Sequence, residues 1–171
     1  MGGIGRRVLG LCLPPLVFCI LDGAVTLLGQ SVEYWSGDYV RVNEASPTFN
    51  HLLQIHPAVY VFGILVWAVV FVGIILLLPD TLALIVSIAV TFGHTVGAAT
   101  WLLYRFHFGY QACNGLFLLS AVLLGLCIRL GGRASPAQEY RLPDWPPIVR
   151  WVLVAVLFGV GMYLFLWPRS S

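Results

Sequence analysis

Apolar residues fill five runs of the chain, roughly 8–30, 57–78, 81–103, 108–130 and 149–167, with polar stretches between them. Each run is close to the ~20 residues a helix needs to cross a hydrocarbon core of ~30 Å. With no water there to satisfy backbone groups, helix is the predicted state of all five. Only LPDT, residues 78–81, separates the second run from the third. Pro79 ends one helix, Asp80 or Thr81 caps the next, and the two spans are predicted to be antiparallel neighbours. The longest polar stretch, 31–56, contains SPTFNHLLQIHP. There Ser46 is predicted to cap a short helix beginning at Pro47, lying in the membrane interface with Tyr34, Trp35 and Tyr39 as aromatic anchors. The expected fold is all-α: an integral membrane bundle of five transmembrane helices with a short external interfacial helix, residues 1–171 forming a single membrane domain.

Composition supports this pattern. The chain is 60% hydrophobic and 9% charged, with a mean hydropathy of +0.92, values of a polytopic membrane protein rather than a water-soluble domain. MGGIGRR precedes the first run, but no small-x-small cleavage site follows it, so an uncleaved first helix is expected. Arg6 stands where myristoylation needs Ser or Thr. Arginine placement sets the expected orientation. Arg6, Arg7, Arg129, Arg133, Arg141 and Arg150 fall on the N-terminal side of the membrane, and Arg41, Arg105 and Arg169 on the other, which predicts a cytoplasmic N-terminus and an external C-terminus. RASPAQEYRLPDWPP is then a cytoplasmic linker. The net charge of +2 comes from arginines scattered singly, which argues against nucleic acid as a partner. Cys12, Cys19, Cys113 and Cys127 sit in apolar runs without C-x-x-C spacing and read as packing residues.

Polar side chains inside the spans carry the candidate chemistry. Cys12, Pro15, Cys19, Asp22, Thr26 and Gly29 recur every three or four residues, so they share one face of the first helix. Ser87, Thr91, His94, Thr95 and Ala98 form a matching stripe on the third, and the fourth begins with Tyr110, Gln111, Asn114 and Gly115. GHTVG, residues 93–97, is a small-x-x-x-small pattern that predicts a close helix contact. Counted from the external helix ends at ~1.5 Å per residue, Asp22 lies roughly 12 Å deep, His94 roughly 15 Å and Asn114 roughly 9 Å. The three are therefore expected to meet in the external half of the bundle, with Thr26 and Gln111 beside them.

Several chemistries suit such a cluster. Asp22 and His94, joined by Glu44 or His51 from the external loop, would be the ligand set for a divalent metal, the one cofactor this pattern suggests, although a metal site needs three or four ligands. The same groups could relay a proton or contact a polar head group. A structural tie is the plain alternative, because a charge at mid-membrane costs on the order of 3 kcal/mol and needs a partner. Ser120 lacks a Gly-x-Ser-x-Gly context, so a serine nucleophile is not indicated. Five spans without an evident inverted repeat do not match the usual transporter construction. The leading expectation is a membrane protein whose cluster binds a metal ion or polar head group. Its rivals are a structural or assembly subunit that docks partner membrane subunits through the fifth helix, and a membrane-embedded hydrolase or transferase acting on lipid.

D-G-A-V-T in the first helix and N-E-A-S-P before the second together resemble a group of small bacterial polytopic membrane proteins with an Asp-x-x-x-Thr and a Glu-Ala-Asn-Pro-like element. Asp22, Thr26, Glu44 and Pro47 match that pattern; Asn43 departs from it, since it precedes the glutamate rather than the proline. The resemblance covers about the first 80 residues. It implies four or five spans in a bacterial inner membrane and a shared site built from Asp22 and Glu44, and it carries no activity.

Overall fold

The computed structural model describes Gly5 and residues 8–132 and 145–166, and every element among these residues is helical. A π-helical turn, Val8–Cys12, leads into α1, Leu13–Leu28; α2, Val32–Trp35, and α3, Pro47–Ile55, are short; α4, Pro57–Leu77, α5, Asp80–Tyr104, α6, Gly109–Gly132, and α7, Pro147–Leu166, are long. Among the described residues, four helical stretches are long and apolar enough to cross a membrane: Val8–Leu28, Pro57–Leu77, Asp80–Tyr104 and Gly109–Arg129. They fit a multi-pass membrane protein. The fifth apolar run falls in α7, whose side chains are described as far as Val160 and which is apolar over Pro147–Val160. Most of the expected linker, with Arg133 and Arg141, lies outside the described residues, as do Arg6, Arg7, Trp167 and Arg169.

The π turn has a cause in the sequence. Pro14 and Pro15 have no N–H to give the carbonyls of Gly10 and Leu11 one turn back, and there the backbone widens before settling into α-helix. Beyond it, α1 packs against α4, α5 and α6 and is the central helix, with its most extensive interface on α5. Cys12, Pro15, Cys19 and Thr26 of its small and polar stripe are buried. So are Ser87, Thr91, Thr95 and Ala98 on α5. Where lipid replaces water, helices associate by close packing and hydrogen bonds rather than by the hydrophobic effect, and small side chains permit that approach. Thr91 and Thr95 donate their hydroxyls to the carbonyls of Ser87 and Thr91, each at 2.7 Å, so these two are satisfied within their own helix, whereas the buried Ser87 hydroxyl has no hydrogen-bond partner among the described residues.

α4 and α5 form the expected hairpin and are in contact. Neither Asp80 nor Thr81 is the cap, however: Pro79 holds the N-cap position, and Asp80 is already in the first turn. α6 turns Cys113, Leu116, Ser120 and Cys127 inward, and the Cys113 thiol donates to the Ala99 carbonyl at 3.4 Å. All four cysteines are buried free thiols.

Residues 29–56 pack more tightly than an interfacial arm would. Tyr34, expected as an aromatic anchor, has no exposed surface; its hydroxyl donates to the Leu53 carbonyl at 3.1 Å, and its ring meets Trp35 and Tyr39. α3 starts at Pro47 as expected, but the Ser46 side chain makes no capping bond. Glu44 instead ties down the residue ahead of the helix, its Oε1 accepting the Ser46 N–H at 2.7 Å. His56 is extended and caps α4, its Nδ1 accepting the Ala58 N–H at 3.1 Å. α3 and α4 thus meet at a sharp corner.

Candidate functional site: a polar cleft between α1, α4 and α5

Asp22 lies halfway along the central helix and faces α5, where Oδ2 stands 2.8 Å from Nδ1 of His94. The opposite ring nitrogen, Nε2, is 3.1 Å from the indole nitrogen of Trp67 on α4. An indole N–H can only donate, so Nε2 must be the accepting nitrogen. The proton of the neutral ring is then on Nδ1, where it is donated to Asp22. An imidazolium would need a proton on both nitrogens and would lose the Trp67 bond. The three side chains therefore form a directed chain, Trp67 to His94 to Asp22. Phe71 packs on both the Trp67 and His94 rings, with centroids at 6.0 and 6.4 Å.

Space for the carboxylate comes from Gly97. A Cβ at that position would stand 2.6 Å from Oδ1 and 2.7 Å from Oδ2 of Asp22. Gly93, one turn earlier, has nothing within 4 Å of where its Cβ would be. The expected close helix contact is made at Gly97, which seats the α1 carboxylate, whereas Gly93 borders open space.

That space is a cleft of about 840 Å³. Its α5 wall runs from Ala89 to Arg105, about 24 Å at 1.5 Å per residue. Tyr60 and Trp67 of α4, Asp22 and Thr26 of α1, and residues 43–46 with Phe49 complete it. It occupies the region between the hairpin arms on the side away from Pro79. Ala89 and Val90 make one end apolar. The other end holds Glu44 and Arg105, whose Nε donates to the Gly29 carbonyl at 2.7 Å and so closes the C-terminus of α1. Arg105 is thus part of this wall.

Glu44 reaches the cleft through Gln30. The buried Gln30 amide donates to the carbonyls of Thr26 and Asn43, at 2.9 and 3.0 Å, while its Oε1 accepts the Asn43 N–H at 3.0 Å. Both backbone groups of Asn43 are thereby held to the end of α1, and the next residue is Glu44. Burial pushes the Glu44 carboxyl above the usual carboxylate range; the Ser46 N–H pulls it back, the negative charge of Asp22 raises it again, and the Ala45 N–H opposes.

The expected cluster is therefore partly redistributed. Asp22, Thr26, His94 and Glu44 share the cleft wall. Asn114 and Gln111 are exposed on α6 and do not line it. α6 packs through Cys113, Leu116 and Ser120, and Asn114 is one residue, about 100° of helix turn, away from that face. His51 is exposed on α3 and also lies outside the cleft wall. A divalent metal fits poorly here, because both ring nitrogens of His94 are engaged. Among the described residues, no three His, Cys, Asp or Glu side chains are grouped to hold one.

Trp67 and Gln30 did not stand out in the sequence, yet each carried a signal. Trp67 lies ten residues into an apolar helix, away from the interfaces where tryptophan usually sits, so its N–H needed an internal partner. Gln30 closes the apolar run of α1 with an amide that must be satisfied on both sides. No family model matches the chain, and no curated protein or solved structure matches it either.

Proposed function

We propose that this chain is a multi-pass membrane protein whose cleft receives the polar head of an amphipathic molecule from the external side. Its N-terminus is cytoplasmic, α7 is the fifth span, and α3 lies along the external surface. The carrying observation is the polarity of the Trp67, His94 and Asp22 chain, which leaves a hydrogen-bonded carboxylate on the wall of an elongated cleft. One end of that cleft is polar and the other apolar, as the two parts of an amphiphile require. Asp22 and Glu44, which also carry the resemblance to the bacterial membrane proteins, line the polar part.

Native mass spectrometry of protein released from phosphatidylethanolamine and phosphatidylglycerol nanodiscs tests this. One amphiphile should remain on each wild-type chain under activation that strips surrounding lipid. Gly93→Phe, which places a ring in the open space of the cleft, should abolish that retention. No retained molecule, or equal retention by both proteins, would overturn the proposal. A second reading, that the cluster ties helices together, is favoured by the Asp22 to His94 bridge across the most extensive interface. It predicts that Asp22→Ala unfolds the bundle while Gly93→Phe changes nothing measurable.

A further inference from the structure

We infer that the head group taken by this cleft is an organic cation, an ammonium carried on an amphipathic molecule. The inference rests on the cleft reading above and names its ligand.

Charge comes first. Asp22 and Glu44 place two carboxylates on the wall, His94 contributes a neutral ring because Trp67 donates to it, and among the described residues Arg105 is the one cationic side chain lining the cleft. Arg105 stands at the polar end, held through Nε to Gly29, whereas Asp22 lies two helical turns deeper along the wall, beside Gly97. The deeper part of the polar half is therefore negative and, among the described residues, lacks a cation of its own.

The remaining wall decides which cation suits it. Phe49, Tyr60, Trp67, Trp101 and Tyr104 all line the same cleft. Carboxylates among aromatic faces recognise substituted ammonium groups, which give up their weak hydration easily and are attracted to ring π-systems. A metal ion instead requires several oxygen, nitrogen or sulfur donors at short range, and among the described residues that grouping is missing. The apolar end at Ala89 and Val90 then takes the beginning of the hydrocarbon tail.

The test uses purified full-length chain in dodecyl octaethylene glycol ether, followed through its tryptophan emission, since Trp67 and Trp101 line the cleft. The probes are decyltrimethylammonium, decanoate and decyl maltoside, which share a tail length, with tetramethylammonium as the tail-less arm. Decyltrimethylammonium should bind about tenfold or more tightly than the other two amphiphiles. Tetramethylammonium should bind more weakly than its tailed counterpart. Asp22→Asn should remove the preference for the cation. Glu44→Gln, outside the spans, should reduce it and provides the comparison if Asp22→Asn does not fold. Equal affinity for the three heads, or a preference that survives both variants, overturns the cationic ligand but leaves the cleft reading standing. Tetramethylammonium binding as tightly as the tailed cation overturns the amphiphile. Saturable binding of none of them overturns both.

Discussion

Trp67 donates its indole N–H to Nε2 of His94 across 3.1 Å, and this single bond determines which nitrogen of the histidine carries the proton. At neutral pH, 15N NMR of His94 should show Nε2 without a proton and Nδ1 with one. Trp67→Phe removes the donor and leaves a largely buried acceptor unpaired, costing about 1–3 kcal/mol of stability and releasing the ring from a fixed tautomer. A protonated Nε2 in the wild-type protein would falsify the directed chain.

Gly97 and Gly93 should respond oppositely to alanine. At Gly97 the added methyl group meets the Asp22 carboxylate within 3 Å, so the helices or the carboxylate must shift; thermal unfolding in detergent should show a loss of about 1–3 kcal/mol. At Gly93 the methyl group meets nothing within 4 Å, and the better helix propensity of alanine should leave stability equal or raise it by about 0.5–1 kcal/mol.

Gln30→Ala removes three hydrogen bonds at one stroke and frees the segment before Glu44 from α1. Stability should fall by about 1–3 kcal/mol. Limited proteolysis between residues 37 and 46 should accelerate by more than cleavage elsewhere does, which separates local release from general unfolding.

Glu44 predicts a pH dependence with a definite sign. Burial holds its carboxyl above the ordinary range in the folded chain, so the native state binds this proton more readily than the unfolded state does. Its contribution to stability is complete below the unfolded glutamate value and is lost as pH rises through the raised folded value. The wild-type melting temperature should therefore fall relative to that of Glu44→Gln as pH increases from about 4 to about 8. A difference that stays flat across that range would contradict the burial of Glu44.

Asn114→Leu serves as the complementary control. Because Asn114 is exposed on α6 and away from the cleft, the change should shift stability by no more than about 0.5 kcal/mol and leave ligand affinity unaltered.

Periodicity and rise per residue carried the sequence reading of the cluster as far as depth along each helix. Depth brings Asp22 and His94 to the same level, and their 2.8 Å contact realises it. Asn114 was placed at a similar depth, but which face of α6 packs inward depends on Cys113, Leu116 and Ser120 finding α5 and α1, a tertiary choice that one helix's pattern leaves open. The burial of Tyr34 and the hold of Gln30 on Asn43 likewise depend on contacts between residues 13 to 19 positions apart. Spacing rules for a single helix do not reach that far. The glycines of GHTVG were legible as small but not as different: only the position of Asp22 distinguishes the seat from the gap.

Asp22, Thr26 and Gln30 follow one another at intervals of four residues along α1, and Gln30 fixes the backbone that presents Glu44. Both carboxylates of the cleft are thereby indexed to one helix, although one of them belongs to a loop. Inserting a single alanine between Thr26 and Gln30 would rotate that index by about 100° and swing Glu44 out of alignment with Asp22, while every side chain of the cleft stays in the sequence. The cleft's charge pattern is thus a matter of helical phase as much as of composition.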